Sequence, residues 1–250
     1  MVFASQPKRK VMPFALIHSP LVGPSTWRLV ASQLEQQHDQ VIVPALVDET
    51  GSDKSFWEQH AASAANAINA ARSKGPCILV GHSGAGPLLP AIGDRLHQPP
   101  SGYLFVDAGL PRHLATRLEL MKWESKEWAD CFEQHMTAGG HFPTWSDLDL
   151  QELIPSAELR SQVLREVKAR TLAFFTEPIS NSGKWFQAPC GYLQFSSAYD
   201  VPAREAQASG WPFINLQVGH FHMVVDPLLV AEALVHLREK MLNRVSAPAG

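Results

Sequence analysis

The fold is decided by residues 77–86, which read Cys-Ile-Leu-Val-Gly-His-Ser-Gly-Ala-Gly. The apolar residues at the start are typical of a buried strand, and the small residues that follow predict a sharp turn into a helix. Glycine at positions 81, 84 and 86 removes Cβ atoms that would crowd such a turn. We therefore expect Ser83 at the apex of a strand, turn and helix unit.

A glycine-rich turn after a strand can also hold the pyrophosphate of a dinucleotide. The spacing here is G-x-x-G-x-G, whereas the dinucleotide fingerprint is G-x-G-x-x-G, and the turn does not follow the first strand of the chain. No acidic residue ends a strand about 20 residues further on, where that fingerprint places one. These differences favour a turn that presents Ser83 over a nucleotide site.

Short apolar runs recur along the chain and alternate with helical patterns, which is typical of buried parallel strands in an α/β protein. The pattern predicts a doubly wound, mostly parallel six-stranded sheet. The predicted strands span residues 14–18, 40–44, 77–81, 102–106, 191–195 and 213–218. The predicted helices of this core span residues 27–37, 59–73, 83–96 and 226–241.

One long segment, residues 110–187, has no convincing strand pattern and only helix-like stretches separated by glycine and proline. We expect it to be a helical cap inserted in a core formed by residues 1–109 and 188–250. The segment holds four of the seven tryptophans, at positions 123, 128, 145 and 185. Most of these aromatic side chains are expected to pack the cap onto the sheet.

The run Gly81-His82-Ser83-Gly84-Ala85 resembles the G-x-S-x-G nucleophile elbow of the α/β-hydrolase superfamily, with alanine in place of the final glycine. In that fold the strained turn exposes the serine hydroxyl above the sheet, so the resemblance implies that Ser83 is a nucleophile. The resemblance covers nearly the whole chain, from the first predicted strand to the last helix. It implies the α/β-hydrolase fold, a helical cap and no cofactor or metal.

A serine nucleophile needs a base, and the segment that begins Gly219-His220 supplies a histidine after the last predicted strand. In the family the catalytic histidine follows a glycine and precedes a proline by about seven positions, which selects His220 because Pro227 follows it. His222 is interpreted as a rim or packing residue. His18 and His82 are interpreted as structural or surface residues.

Two aspartates are candidates for the acid that orients this histidine. Most members of the family carry the acid after the penultimate strand, which favours Asp200 and gives the chain order Ser83, Asp200, His220. Some members carry it after the preceding strand, where Asp107 directly follows residues 102–106. We favour Asp200 and keep Asp107 as the alternative.

The oxyanion that forms during acyl transfer needs two hydrogen-bond donors, and the N–H of Gly84 is one candidate. The second comes from the loop after the first strand, and the spacing from His18 to Trp27 resembles the small plant esterase and hydroxynitrile-lyase branch of the family. Pro20 stands where the family's donor is usual, and proline has no N–H. The Leu21 N–H or the Ser19 hydroxyl is then expected to take its place.

These residues together predict a serine hydrolase that cleaves a carboxylic ester, lactone or thioester of a small to medium, largely apolar substrate through an acyl-enzyme. The altered oxyanion loop leaves a lyase or a carbon–carbon hydrolase on the same fold as an alternative. A non-catalytic ligand receptor built on a hydrolase scaffold is a second alternative.

Composition excludes several other classes of protein. The net charge is −3 and no basic stripe is present, so nucleic acid is not an expected partner. No apolar run approaches the roughly 18 residues that a membrane span needs. The three cysteines are expected to be unpaired and buried in a reducing compartment, the cytoplasm. The apolar run that follows the basic residues 8–10 is interpreted as a buried strand rather than as part of a signal peptide.

Overall fold

The sheet at the centre of the molecule has six strands in the order β2-β1-β3-β4-β5-β6, and every neighbouring pair is parallel. The computed structural model describes residues 12–71 and 75–246, so the basic residues 8–10 lie outside the described part. The prediction of a doubly wound, mostly parallel six-stranded sheet is confirmed. The strands are β1 (Phe14–Ile17), β2 (Val41–Ile42), β3 (Ile78–Ser83), β4 (Gly102–Ala108), β5 (Cys190–Gln194) and β6 (Phe213–Asn215).

Helices cover both faces of this sheet, because successive strand residues point to opposite sides and each side is apolar. Ile78 and Val80 of β3 belong to the cluster on one face, whereas Leu79 belongs to the cluster on the other. The core helices are α1 (Ser25–Gln36), α2 (Phe56–Ala70), α3 (Leu89–Gly93), α9 (Asp200–Ala208), α10 (His222–Val225) and α11 (Pro227–Ser246). Helices α1 and α11 pack on the first face and α2, α3 and α9 on the second.

The segment between β4 and β5, residues 109–189, is helical and is described in full. Its helices are α4 (Arg117–Glu124), α5 (Lys126–Thr137), α6 (Asp147–Leu150), α7 (Ala157–Arg165) and α8 (Leu172–Thr176). We call residues 110–187 the insertion. The rings of Phe132, Phe142 and Phe175 contact one another edge to face, and Phe132 and Phe175 belong to a third apolar cluster. These three aromatic residues therefore form a core within the insertion, whereas Trp145 contacts Phe221 and Trp185 contacts Phe105, both of which belong to the clusters on the sheet.

Several predicted elements differ from the structure in their bounds. The strand expected at 213–218 ends at Asn215, and residues 200–208, which the sequence left unassigned, form α9. Pro202 lies in the first turn of α9, a position where proline needs no N–H partner and marks a helix start. Cys77 and Cys190 are buried and unpaired as expected, but Cys131 is exposed, which corrects its assignment to the core.

No helix within residues 12–71 and 75–246 is long and apolar enough to cross a membrane.

The turn after β3 depends on close approach of two backbone segments, which gives a test of the fold. A Cβ on Gly86 would collide with the carbonyl oxygen of Gly109, a backbone atom that cannot move aside as a flexible side chain does. We expect Gly86→Ala to lower the free energy of unfolding by about 1–3 kcal/mol, the usual cost of overpacking. Urea denaturation of the purified variant measures the change.

The control is Gly75→Ala, since a Cβ at Gly75 meets no atom of the described residues within 4 Å. Equal urea midpoints for the two variants would contradict the proposed role of Gly86 in the packing of the turn.

Candidate active site

Ser83 is the last residue of β3 and lies near the middle of the carboxyl edge of the sheet. Its backbone is left-handed, with φ of 55°, a conformation that costs a non-glycine residue energy. The turn closes when the Ala85 N–H donates to the His82 carbonyl over 3.0 Å, and a single 3₁₀ turn starts at Gly86. The predicted strand, turn and helix unit is present, and it holds Ser83 in a strained position at the sheet edge.

Beside Ser83, strand β4 carries a bulge. The register between β3 and β4 shifts at Ser83, which pairs with Ala108. Asp107 is thereby left as an extra residue in β4, with a left-handed φ of 42°. The Tyr192 hydroxyl donates to the Ala108 carbonyl over 2.8 Å and accepts from the Ala108 N–H over 3.2 Å. A bulge changes the direction of the side chain it contains, and here it re-aims that of Asp107.

The carboxylate of Asp107 is fully buried and accepts four hydrogen bonds. The backbone N–H groups of Phe195 and Ser196 donate to Oδ1 over 2.9 Å each, and the Ser196 hydroxyl donates to Oδ2 over 2.8 Å. His220 Nδ1 lies 2.6 Å from Oδ2. Four donors match the acceptor-only character of an ionised carboxylate, so His220 carries its proton on Nδ1 and leaves Nε2 free to accept one.

The preference for Asp200 as the partner of His220 is wrong, and the alternative Asp107 occupies that place. Asp200 is the exposed first residue of α9, and its Oδ1 accepts a hydrogen bond from Gln194 Nε2 over 2.6 Å. A carboxylate is stabilised at the start of a helix by the helix dipole. The prediction failed for a physical reason. Asp200 lies at the start of α9 and interacts with the helix dipole there, whereas the bulge in β4 brings Asp107 to His220.

His82 is fully buried behind His220, and the two imidazole rings have centroids 4.4 Å apart. His82 Nε2 donates to the His220 carbonyl over 3.0 Å. Burial lowers the pKa of His82 well below its ordinary value, and the neighbouring His220 lowers it further. His82 is consequently neutral and holds the backbone of His220 without adding a charge beside it.

Tyr199 contacts both Ser83 and His220, and sequence reasoning missed it. Its hydroxyl lies 3.0 Å from Ser83 Oγ, and its ring stacks on the His220 imidazole with centroids 5.4 Å apart and 15° between the planes. Tyr199 ends a short 3₁₀ turn immediately before Asp200. The loop that contains Asp200 thus contributes to the site through Tyr199.

The loop after β1 brings two of the predicted oxyanion-binding residues beside the elbow. A Cβ on Gly84 would lie 3.4 Å from Ser19 Oγ, so the two residues are neighbours. The Leu21 N–H donates to Ser19 Oγ over a long 3.4 Å. Pro20 has no N–H, and its carbonyl accepts from Arg170 Nη2 of the insertion over 3.0 Å. Ser19, Leu21 and Gly84 therefore meet on the β1 side of Ser83.

His18 lies under this loop and is buried. Its Nδ1 donates to the Ser19 carbonyl over 2.8 Å, and its Nε2 accepts from the Leu46 N–H over 3.2 Å. Burial lowers the pKa of His18 to about 4. His18 is thus a neutral structural residue, in agreement with its interpretation from the sequence.

Glu124, the last residue of α4, reaches the carboxyl end of β4. Its Oε1 lies 3.3 Å from the position of a Cβ on Gly109, the residue that follows β4. The pKa of Glu124 is raised to about 7. Burial is the main cause, and the charges of Asp107 and Glu205 act in the same direction. A carboxyl group that is half protonated near neutral pH therefore lies close to the candidate site.

A cavity of about 370 Å³ lies next to the loop after β1. Ser83 does not line this cavity. Its walls include His18, Val22, Ala45, Leu46, Asp48 and Lys168. The cavity therefore adjoins the loop after β1 rather than the hydroxyl of Ser83.

Within residues 12–71 and 75–246, no group of histidine, cysteine, aspartate and glutamate side chains has the arrangement to hold a metal ion.

No protein-family model and no curated protein sequence matches this chain. Solved structures do match it in three dimensions. An extracellular α/β-hydrolase from a Paenibacillus species, described as homologous to tobacco salicylic acid binding protein 2, has a TM-score of 0.72 and 20% identity, covering 90% of this chain and 98% of that one.

Two further structures have similar scores. Polyneuridine aldehyde esterase gives a TM-score of 0.71 at 13% identity over 92% of this chain and 100% of that one. A pyrethroid hydrolase from Sphingobium faniae JZ-2 gives 0.66 at 18% identity over 92% of this chain and 98% of that one. At these identities the matches show a shared fold.

The raised pKa of Glu124 predicts a pH-dependent cost to stability. The folded protein holds the Glu124 proton more tightly than the unfolded chain, since the pKa rises from 4.5 to about 7. Stability is therefore lost as the pH rises from about 4.5 through about 7. We expect Glu124→Gln to raise the stability at pH 8, on the order of 1–2 kcal/mol and a few degrees in Tm, and to leave it unchanged at pH 4.5.

Thermal unfolding at the two pH values measures this effect, and Glu152→Gln, a change at an exposed carboxyl group, is the control. A gain that is the same at both pH values would show that the carboxyl of Glu124 does not titrate as described.

Proposed function

The chain has the α/β-hydrolase fold, and from that premise we propose that it is a serine hydrolase that cleaves carboxylic esters through an acyl-enzyme. One observation carries the proposal. The buried carboxylate of Asp107 accepts from His220 Nδ1 over 2.6 Å, and Tyr199 contacts both that imidazole and the hydroxyl of the strained residue Ser83. A receptor that only binds its ligand has no need of this arrangement.

In the proposed reaction His220 is the general base and Asp107 fixes its tautomer. His220 Nε2 takes the proton from Ser83 Oγ as the oxygen attacks the ester carbonyl carbon. The bond to the alcohol then breaks, and the alcohol oxygen leaves with the proton from His220. A water molecule, activated by the same imidazole, hydrolyses the acyl-enzyme and restores Ser83.

The oxyanion is stabilised from the β1 side of Ser83. The Gly84 N–H is one donor, and we assign the Ser19 hydroxyl as the second. Ser19 Oγ already accepts from the Leu21 N–H, so its own hydrogen is free to donate toward the space beside Gly84. The Leu21 N–H supports the site by orienting this hydroxyl, which replaces the N–H that Pro20 lacks.

The substrate class follows from the side chains around this loop. Leu21 packs against the apolar cluster of the insertion, together with Phe56 and Met121. Two structures that share the fold are named as an esterase and a pyrethroid hydrolase. We therefore propose a small to medium, largely apolar ester as the substrate, with the insertion as a cap over it.

A lyase on the same fold is a second candidate, and one feature favours it. Pro20 removes a backbone donor from the loop that stabilises the oxyanion in ester hydrolysis. Cyanohydrin cleavage forms no tetrahedral acyl intermediate, so it depends less on that donor. The substrates used in the first experiment below separate the two reactions.

The nucleophile is tested with an alkyl fluorophosphonate probe, which forms a covalent bond with an activated serine. We expect labelling of the wild-type protein and none of Ser83→Ala, because Ser83 is the attacked residue. Activity is measured on p-nitrophenyl esters, lactones and cyanohydrins. Labelling at equal levels in both proteins would refute a Ser83-dependent hydrolase, and cleavage of cyanohydrins alone would support the lyase.

The acid is tested by a matched pair of substitutions. Asp107→Asn lets His220 take the wrong tautomer, so we expect kcat to fall on the order of 10,000-fold, as in other serine hydrolases with this change. Asp200→Asn removes only a charge at the start of α9 and is expected to stay within a few-fold of wild type. Steady-state kinetics on one p-nitrophenyl ester measures both. A larger loss at Asp200 than at Asp107 would reverse the assignment.

A further inference from the structure

We propose that Tyr199 is a catalytic residue whose hydroxyl donates a hydrogen bond to the leaving-group oxygen of the bound ester. The inference rests on the proposed serine hydrolase reaction and adds a residue to it. Its basis is the 3.0 Å contact between the Tyr199 hydroxyl and Ser83 Oγ, the atom that attacks the substrate.

The position of Tyr199 relative to the sheet decides which part of the substrate it meets. The loop with Ser19 follows β1, on one side of β3, whereas Tyr199 follows β5, on the other side. The oxyanion is bound on the β1 side, by Gly84 and Ser19. The Tyr199 hydroxyl approaches Ser83 from the opposite side, where it faces another substituent of the tetrahedral carbon.

The protonation state of Tyr199 makes it a donor. Burial raises the pKa of its phenol above the ordinary value, and the charges of Glu124 and Asp107 contribute in the same direction. The phenol therefore keeps its proton throughout the working pH range. When it donates to Ser83 Oγ in the free enzyme, the hydrogen of Ser83 remains available to His220.

The ring of Tyr199 fixes its hydroxyl relative to both reacting groups. It stacks on the His220 imidazole, which also contacts the buried ring of His82. A donor that is held in place before the reaction stabilises the developing charge most effectively, because it does not need to reorganise. The hydroxyl is thus preorganised beside the bond that forms and the bond that breaks.

The balance of the reaction is unchanged by this role. The bond from Ser83 Oγ to the carbonyl carbon forms, the bond to the leaving oxygen breaks, and one proton moves from Ser83 to His220 and on to that oxygen. Tyr199 gives up no proton. Its hydrogen bond shifts from Ser83 Oγ to the leaving oxygen, which is attached to the same carbon in the intermediate, and stabilises the charge on that oxygen.

The experiment compares Tyr199→Phe with wild type on two esters of one acid, a p-nitrophenyl ester and an ethyl ester. A p-nitrophenolate needs little help to leave, whereas an ethoxide needs much. We expect kcat/KM to fall only a few-fold for the first ester and roughly 10- to 100-fold more for the second, the range for a hydrogen bond to a charged group. Fluorophosphonate labelling, with fluoride as leaving group, is expected to persist.

Tyr103→Phe is the matched control, because it removes a phenol hydroxyl that lies near Gly93, away from the site. Tyr199→Phe keeps the ring that stacks on His220, and the Tm of each variant checks its fold. Equal losses on both esters, or no loss on either, would overturn the proposed role of Tyr199. Failure of the serine hydrolase proposal would give a different result, because the wild-type protein would then show neither labelling nor ester cleavage.

Discussion

Four hydrogen bonds to the buried carboxylate of Asp107 hold the candidate site together. They tie the end of β4 to the backbone at the end of β5 and to His220 in the loop after β6. An unpaired carboxylate at this depth would be strongly destabilising, so these three segments must stay in contact for the chain to fold. The position of the His220 imidazole is therefore a consequence of satisfying one buried charge.

A second group of contacts joins the insertion to the same edge of the sheet. The buried side chain of Arg170 donates to the Pro20 carbonyl and pairs with Asp48, while the Lys168 N–H donates to the Leu21 carbonyl over 2.9 Å. Partial burial acts to raise the pKa of Asp48, but hydrogen bonds from His60 and Arg170 hold it well below its ordinary value. The loop that would bind the oxyanion is thus held from the side of the insertion as well as from the sheet.

Local patterns predicted the fold and half of the site. The apolar runs and the glycines around Ser83 act over a few residues, so the six strands and the turn at residues 77–86 were readable from the sequence. Asp107 is different, because the direction of its side chain depends on a bulge in the pairing of β3 with β4. No residue type within β4 indicates where that bulge occurs. The sequence favoured Asp200 because it follows the penultimate strand, but in three dimensions His220 lies beside Asp107. Tyr199 was missed for a related reason, since one of its contacts is with Ser83, 116 residues away in the sequence, and the other is with the ring of His220.

The bonds from residues 168 and 170 to the loop after β1 have a consequence for protein engineering and for the divergence of such chains. Exchange of insertions between proteins of this fold is an attractive route to new substrate preferences. In this molecule the exchanged unit has to include residues 18–27 as well, because the insertion supplies hydrogen bonds to the carbonyls of Pro20 and Leu21. The two segments form one module although they are far apart in sequence, and a change in either is expected to select for a compensating change in the other.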